Sequence, residues 1–256
     1  MRRNKIKELW QAGEPVVTGW CQTPDPFITE AMTRAGFDAL VLDMQHGMTI
    51  GPDRAGVWLQ IVGQCDIAPL VRLPWNEPAY AQWVLDAGAM GVIIPMISTV
   101  QDARKAIGAC KYPPMGYRSN GPTRAQFFGA DYLARANDET LCLLMMETVE
   151  GVQNIEQIVQ LPGCDGFFIG PSDLAISAGL PANLDCKDPR HVAMVQRVID
   201  TAKKHGKNAG IYVTGPEEGV RRWKQGFNLN PFCSDLAVLV EGVNRNLAEF
   251  RQRLAD

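Results

Sequence analysis

The chain has no C-x-x-C pair, and its seven cysteines (21, 65, 110, 142, 164, 186 and 233) are scattered and odd in number. That pattern excludes a disulfide framework and a cysteine-built zinc site, and it suits buried thiols in a reducing compartment. A surplus of positive charge is also missing. The 25 Lys and Arg stand against 28 Asp and Glu, a net charge of −3, which offers no surface to a polyanion and argues against nucleic acid. No apolar run approaches the ~20 residues of a membrane span. The basic opening Met1-Arg2-Arg3-Asn4-Lys5-Ile6-Lys7 leads to Gly13, Glu14 and Pro15, not to the apolar core of a secretion signal. No G-x-G-x-x-G follows the first apolar run, so the usual mark of a dinucleotide-binding open sheet is absent. What these absences leave is a cytoplasmic, enzyme-sized chain, 46% hydrophobic, with a single domain expected over residues 1–256.

What is present is a regular alternation. Apolar runs with strand character fall at 16–20, 39–42, 68–74, 91–96, 140–146, 166–170 and 209–213. A weaker one lies near 227–232, interrupted by Asn228, Asn230 and Pro231. Helical patterns lie between them. Asp25-Pro26 opens one helix, as N-cap and first helical residue, and Gly36 stops it. The stretch 52–64 should face Trp58 and Ile61 inward, and Val152, Ile155, Ile158 and Val159 form another buried stripe. Ser234 should cap a last helix, about 234–255, with Leu236, Leu239, Val240, Val243, Leu247 and Phe250 on one face. That face is available to pack on a neighbouring subunit. Eight strand–helix units without a composition break predict one (β/α)8 TIM barrel. The stretch 112–138, rich in Gly, Pro and Arg, reads as a long ordered binding loop carrying Arg118 and Arg124.

Several of the apolar runs end in polar groups, and in such a barrel those ends meet on one rim. They supply Trp20, Asp43, Gln45, His46, Arg72, Glu147 and Asp173. Glu147 and Asp173 end neighbouring strands, and two anions brought together call for a cation. With oxygen ligands alone, that cation is hard and octahedral: Mg²⁺ or Mn²⁺, with Co²⁺ a further candidate. Gly170, Pro171, Ser172 and Asp173 open a helix whose free N–H groups can receive a substrate carboxylate. Arg72 suits a developing oxyanion. His46 is the imidazole placed to act as a base, and Asp43, three residues before it, can orient it. His191 and His205 belong to helix ends and read as structural. None of the nine lysines falls inside a strand, which disfavours a Schiff base. Cys142 and Cys164 lack an activating partner.

With these residues assembled, the chain resembles the metal-dependent (class II) pyruvate aldolases typified by 4-hydroxy-2-oxoheptanedioate aldolase, in the family that also holds citrate lyase β-like enzymes. The resemblance rests on Gly19-Trp20, Asp43-Met44-Gln45-His46-Gly47, Val71-Arg72-Leu73-Pro74, Asp86-Ala87-Gly88-Ala89, Ile94-Pro95, Tyr112-Pro113-Pro114-Met115-Gly116-Tyr117-Arg118, Met146-Glu147-Thr148 and Phe168-Ile169-Gly170-Pro171-Ser172-Asp173-Leu174. It implies that Glu147 and Asp173 hold the divalent ion and that Arg72 stabilises an enolate oxygen. It implies that His46, supported by Asp43, moves protons. It also implies that Asp86 reaches a neighbouring subunit's site in a homo-oligomer, a hexamer in this family. The implied reaction is reversible cleavage of a 4-hydroxy-2-oxo acid into pyruvate, or hydroxypyruvate, and an aldehyde. Trp20, Gln45 and the Arg118–Arg124 loop would shape specificity. Two departures stand out: the family often has Glu where this chain has Gln45, and Gln where it has Met145. An acyl-CoA lyase of the malyl- or citramalyl-CoA type and a non-catalytic keto-acid-binding barrel are the alternatives.

Overall fold

A computed structural model describes residues 1–47 and 51–255. Eight strands form one curled, parallel sheet: β1 (Thr18–Cys21), β2 (Ala39–Asp43), β3 (Ala68–Arg72), β4 (Gly91–Ile94), β5 (Leu141–Met145), β6 (Gly166–Ile169), β7 (Asn208–Ile211) and β8 (Cys233–Ser234). Their order is β7-β6-β5-β4-β3-β2-β1-β8. The helices are α1 (Lys5–Ala12), α2 (Pro26–Thr33), α3 (Pro52–Val62), α4 (Pro78–Asp86), α5 (Val100–Cys110), α6 (Tyr132–Glu139), α7 (Val149–Ile158), α8 (Pro171–Ser177), α9 (Pro189–Lys204), α10 (Pro216–Gln225) and α11 (Asp235–Ala255).

The strands are apolar on both faces because both faces are covered. Leu40, Leu42, Val71, Val92, Leu144 and Phe167 join the layer between sheet and helices. The alternate residues, Ala39, Val41, Ala68, Leu70, Ile93, Leu141, Leu143 and Phe168, form a separate inner cluster with Ile6 of α1 and Leu229. Successive side chains of a strand point to opposite faces, so Asp43 and Arg72 are the next inward steps of β2 and β3, and Glu147 follows Met145, the last inward residue of β5. Strand parity therefore delivers two charged groups to one end of the sheet, and Glu147 joins them there.

Local chemistry sets the helix boundaries. Asp25 accepts from Phe27 N and Ile28 N with Pro26 in the first turn of α2, and Gly36 follows at φ 93°. Thr99 and Asp102 make a reciprocal capping box on α5. Among the described residues no helix is long and apolar enough to cross a membrane.

Four expectations are corrected. The stretch 112–138 is not one loop: a 3-10 turn (Ala125–Phe128) and α6 occupy its second half. The seal comes from Tyr132 and Ala136, which are buried against Tyr112 and Ala125. The last strand is Cys233–Ser234, later than 227–232, because Pro231 has no N–H to give a ladder. Residues 228–229 instead bridge the two margins of the sheet, Val16 and Gly210 both pairing with Leu229. Ser234 Oγ bonds Gln22 Oε1 at 3.1 Å and does not cap α11, where Leu236 N bonds Asp235 Oδ1. Ile61 is only partly buried, whereas Trp58 is fully so.

α11 leaves the sheet with its apolar face uncovered: Leu239, Val240, Val243, Leu247 and Phe250 are all exposed. Beside β8 and α10 lies an apolar groove of about 220 Å³, lined by Val16, Val17, Val220, Trp223 and Phe232 among others.

Candidate active site

A cavity of about 300 Å³ opens where the strands end, lined by Trp20, Gln22, Asp43, His46, Arg72, Met145, Phe168, Gly170, Pro171, Ser172, Asp173, Leu184 and Tyr212. Strand ends of a parallel α/β sheet are where ligands bind. The structure thus brings Trp20, Asp43, His46, Arg72, Gly170, Pro171, Ser172 and Asp173 together, as their positions in the sequence predict.

The electrostatic centre is an ion pair. Arg72 Nε donates to Asp43 Oδ1 at 2.8 Å, and Nη2 donates to Oδ2. Asp43 also accepts from the N–H groups of Gln45 (3.0 Å) and His46 (3.1 Å) and from Trp20 Nε1 (3.2 Å). Burial alone would raise the Asp43 carboxyl, but the Arg72 hydrogen bond and charge bring it below its ordinary value. Asp43 thus fixes Arg72 and, through backbone N–H groups, the turn that carries His46; among the described residues it makes no bond to the imidazole ring. Arg72 in turn lies 4.9 Å over the Trp20 ring, and Trp20 stacks on Phe168 (5.9 Å) and meets Tyr212 edge-on (5.2 Å).

Glu147 lies behind Gly170, buried, with Oε1 accepting from Met96 N at 2.6 Å. Burial pushes its carboxyl up to about 7; the Met96 N–H opposes this, the Asp173 charge adds to it, and Arg72 opposes it. A Cβ on Gly170 would meet Glu147 Oε2 and Met145 Cε, so a larger residue there would displace the carboxylate from its place. Met96 is the one non-glycine residue with positive φ (57°) among the described residues, a conformation costing about 1–2 kcal/mol for an L side chain.

These observations test whether a divalent ion fits. A buried carboxylate with one neutral donor, beside a second carboxylate, is short of positive charge. Two oxygen donors, one buried and one exposed to solvent, suit a hard ion that keeps several waters. Glu147 and Asp173 fit that ion, although no group of three or more His, Cys, Asp or Glu side chains forms a complete cage among the described residues.

Three candidates fall elsewhere. Asp86 ends α4, and Arg118 and Arg124 lie between α5 and β5. A helix-to-strand connection lies at the strands' starting end, opposite the cavity. There Arg118 Nη2 donates to Asp86 Oδ1 at 2.6 Å and to Tyr132 Oη at 3.0 Å, with its guanidinium 4.6 Å over the Tyr112 ring. Burial raises the Asp86 carboxyl despite Arg118. Arg124 Nη1 bonds Ala87 O at 3.0 Å. Arg118 and Arg124 therefore do not line this protomer's cavity. Neither Gln45 nor Glu147 lines it: Glu147 is buried behind Gly170.

Gln22, Met145, Phe168, Leu184 and Tyr212 line the cavity without having been singled out as site residues. Parity could have found four of them, since each falls on the inward-facing series of its strand. Leu184 sits in the connector from α8 to α9 and carries no such signal. The remaining histidines are structural: His191 Nε2 lies 2.9 Å from Pro171 O, and His205 Nε2 lies 3.0 Å from Glu156 Oε2. All seven cysteines are free, and no lysine lies in a strand or lines the cavity.

Comparison with known proteins follows the same lines. A family profile described as HpcH/HpaI aldolase/citrate lyase matches residues 18–239. A hydroxypyruvate/pyruvate aldolase of Rhizorhabdus wittichii is 34% identical over 249 residues, covering 97% of this chain and 99% of that protein. A 5-keto-4-deoxy-D-glucarate aldolase of Klebsiella pneumoniae is 32% identical over 252 residues, covering 97% of each. The crystal structure of a family protein from Burkholderia cenocepacia superposes with a TM-score of 0.88 at 29% identity, covering 96% of this chain and 98% of that one.

Proposed function

The chain belongs to the HpcH/HpaI aldolase/citrate lyase family, and we propose that its cavity performs reversible aldol cleavage of a 4-hydroxy-2-oxo acid to pyruvate or hydroxypyruvate and an aldehyde. The observation that carries this reading is the buried Glu147 carboxylate beside Asp173, facing an arginine whose orientation is fixed by Asp43. The relatives named for such reactions support it. A divalent ion, Mg²⁺ or Mn²⁺, held by Glu147 and Asp173, supplies Lewis-acid polarisation of the keto acid when bound.

The chain's own groups account for the rest. A base takes the proton of the C4 hydroxyl, the C3–C4 bond breaks to release the aldehyde, and the bonding pair moves onto the C2 carbonyl as an enolate. His46 is the imidazole at the cavity and the candidate for that proton and for its return to C3. Arg72, pinned in the plane of the Asp43 carboxylate, points a guanidinium at the enolate oxygen. The N–H groups of Ser172 and Asp173, at the start of α8, can receive the substrate carboxylate. Trp20, Phe168, Leu184 and Met145 exclude water around the reacting carbons. Among the described residues Arg72 is the only arginine lining the cavity, and it is already paired, which favours a small keto acid over an acyl-CoA with its several phosphates.

The whole assembly extends the same reading. The sheet is a complete (β/α)8 barrel, supported by the bridges that Leu229 makes to Val16 and Gly210. The protein is a cytoplasmic homo-oligomer, a reading supported by its unpaired thiols and by α11. The uncovered face of α11 matches in character the groove of Val17, Val220 and Trp223, the place where the last helix of a barrel would lie, and a second copy's helix fills it. Asp86, at the end of α4 and held by Arg118, is then placed to serve a partner's cavity.

The test is a coupled assay of purified protein. With Mn²⁺, pyruvate or hydroxypyruvate donors and a panel of aldehydes, condensation products should form. EDTA should abolish turnover and Mn²⁺ restore it. Turnover indifferent to EDTA, or none with any donor, would overturn the reading.

A further inference from the structure

Glu147 is held in an asymmetric seat. Its Oε1 receives the main-chain N–H of Met96 at 2.6 Å. Its Oε2 faces Gly170, where any Cβ would collide with it, and no donor reaches that oxygen among the described residues. The seat is built from two strands flanking β5. Pro95-Met96 follows β4, and Gly170 follows β6. Met96 accepts a left-handed backbone, φ 57°, to make this turn. Where a strained non-glycine conformation persists, the surrounding structure over-determines it, and such outliers cluster at functional sites. Its side chain is only partly buried, so core packing does not explain it.

The choice of donor has a chemical logic. A lysine or arginine on Oε1 would also orient the carboxylate, but its charge would cancel the attraction for a cation. A neutral peptide N–H aims the group and leaves its charge available. We propose that Met96 is a positioning residue: its strained turn directs a main-chain N–H onto one oxygen of Glu147, while Gly170 keeps the other bare and presented to the divalent ion. This rests on the metal site proposed above, and it goes beyond it by assigning the geometry of that site to two residues that carry no ligating side chain.

The experiment measures Mn²⁺ affinity of the full-length protein without substrate, from the EPR signal of free Mn²⁺. Partners that orient a metal ligand typically contribute 10- to 100-fold in affinity. Met96→Ile, whose β-branched side chain disfavours positive φ, should weaken Mn²⁺ binding by about 10-fold or more. Met96→Gly, which adopts the turn without strain, should bind within about three-fold of wild type. Equal weakening in both variants would assign the effect to the methionine side chain and overturn the proposal, as would wild-type affinity in Met96→Ile. Should Met96→Ile fail to fold by circular dichroism, Gly170→Ala decides: about 10-fold weaker binding supports the seat, and unchanged binding overturns it. Wild-type protein that binds no Mn²⁺ removes the metal site itself, an outcome distinct from all of these.

Discussion

Three side chains dominate the chemistry at the residue scale, and each carries a measurable consequence. Arg72 and Asp43 are an almost wholly enclosed pair, so Arg72→Ala strands a buried carboxylate and destabilises the fold as well as the reaction. Arg72→Lys keeps the charge but loses the planar fork. It should lower kcat for retro-aldol cleavage about 100-fold or more while leaving Tm within a few degrees. Near-wild-type turnover would remove Arg72 from its assigned role. Glu147 gives a prediction in pH. Its carboxyl, raised from 4.5 to about 7 by burial, holds its proton in the folded state over a range where the unfolded chain has lost it. That contribution to stability is fully present below 4.5 and is lost as pH rises through about 7. Above that, in EDTA, the buried anion costs on the order of 3 kcal/mol. Glu147→Gln should therefore raise Tm by several degrees at pH 8 in EDTA and change it little at pH 4. Added Mn²⁺ should stabilise wild type and not the variant. Equal Tm shifts at both pH values would contradict this account.

Tyr212 shows how far the sequence could be read at this scale and where it could not. Asp43, Arg72 and Glu147 stand out because they are charged residues ending apolar runs. Tyr212 obeys the same inward parity as Gly210, but a tyrosine at a strand end also looks like core. Its burial raises the phenol, and Arg72 lies close enough to oppose that. Asp43 shows a limit of another kind. Its spacing of three from His46 suggests that it orients that residue; the carboxylate accepts the backbone N–H groups of that turn and also holds a guanidinium one strand away. Sequence spacing cannot distinguish those partners, because Arg72 is remote along the chain.

Between elements, direction decides what meets. The first seven strands and most helices are legible from apolar periodicity and capping residues, and α2 begins at the Asp25-Pro26 signal. The long stretch after α5 reads from its composition as a binding loop, yet it runs at the end of the sheet opposite this protomer's cavity. A segment running from helix to strand must lie opposite the strand ends, and chain order would have shown this. Another connector does reach the cavity. The α8–α9 segment contributes Leu184 to the wall, and the adjacent Asp185 is fastened to α10 by Arg221 at 2.7 Å and Arg222 at 3.4 Å. Burial would raise the Asp185 carboxyl, but Lys187 and Arg221 hold it down at about 2, so the tether stays charged at any working pH. Asp185→Asn should loosen that wall, raising KM for the aldehyde about three- to ten-fold. Exchange of pyruvate C3 protons in D2O, which needs no aldehyde, should be unaffected. A matching loss in exchange would show that the tether supports the whole cavity.

Across the molecule, the face of α11 leaves a row of apolar side chains uncovered. Exposing a row of large apolar side chains is unfavourable in an isolated chain. Val240→Glu combined with Leu247→Glu should yield a smaller species by light scattering than wild type, with each protomer's circular dichroism retained. An unchanged mass would reject α11 as the contact between copies. The sequence showed the stripe clearly. It could not show that the stripe points away from its own sheet, since an amphipathic helix has the same pattern whichever copy it covers.

Residues 228–229 touch both margins of the sheet through isolated bridges, beside a final strand only two residues long. Every other junction between neighbours is a ladder of at least three paired positions. The curled sheet therefore has a gap with β7 and β8 as its lips, and the aromatic trio spans it: Trp20 of β1 lies beside β8, and Tyr212 follows β7. Amides of 228–234 should take up deuterium before those of any other stave, and a ligand that grips Trp20 and Tyr212 together should slow that uptake by stapling the lips shut.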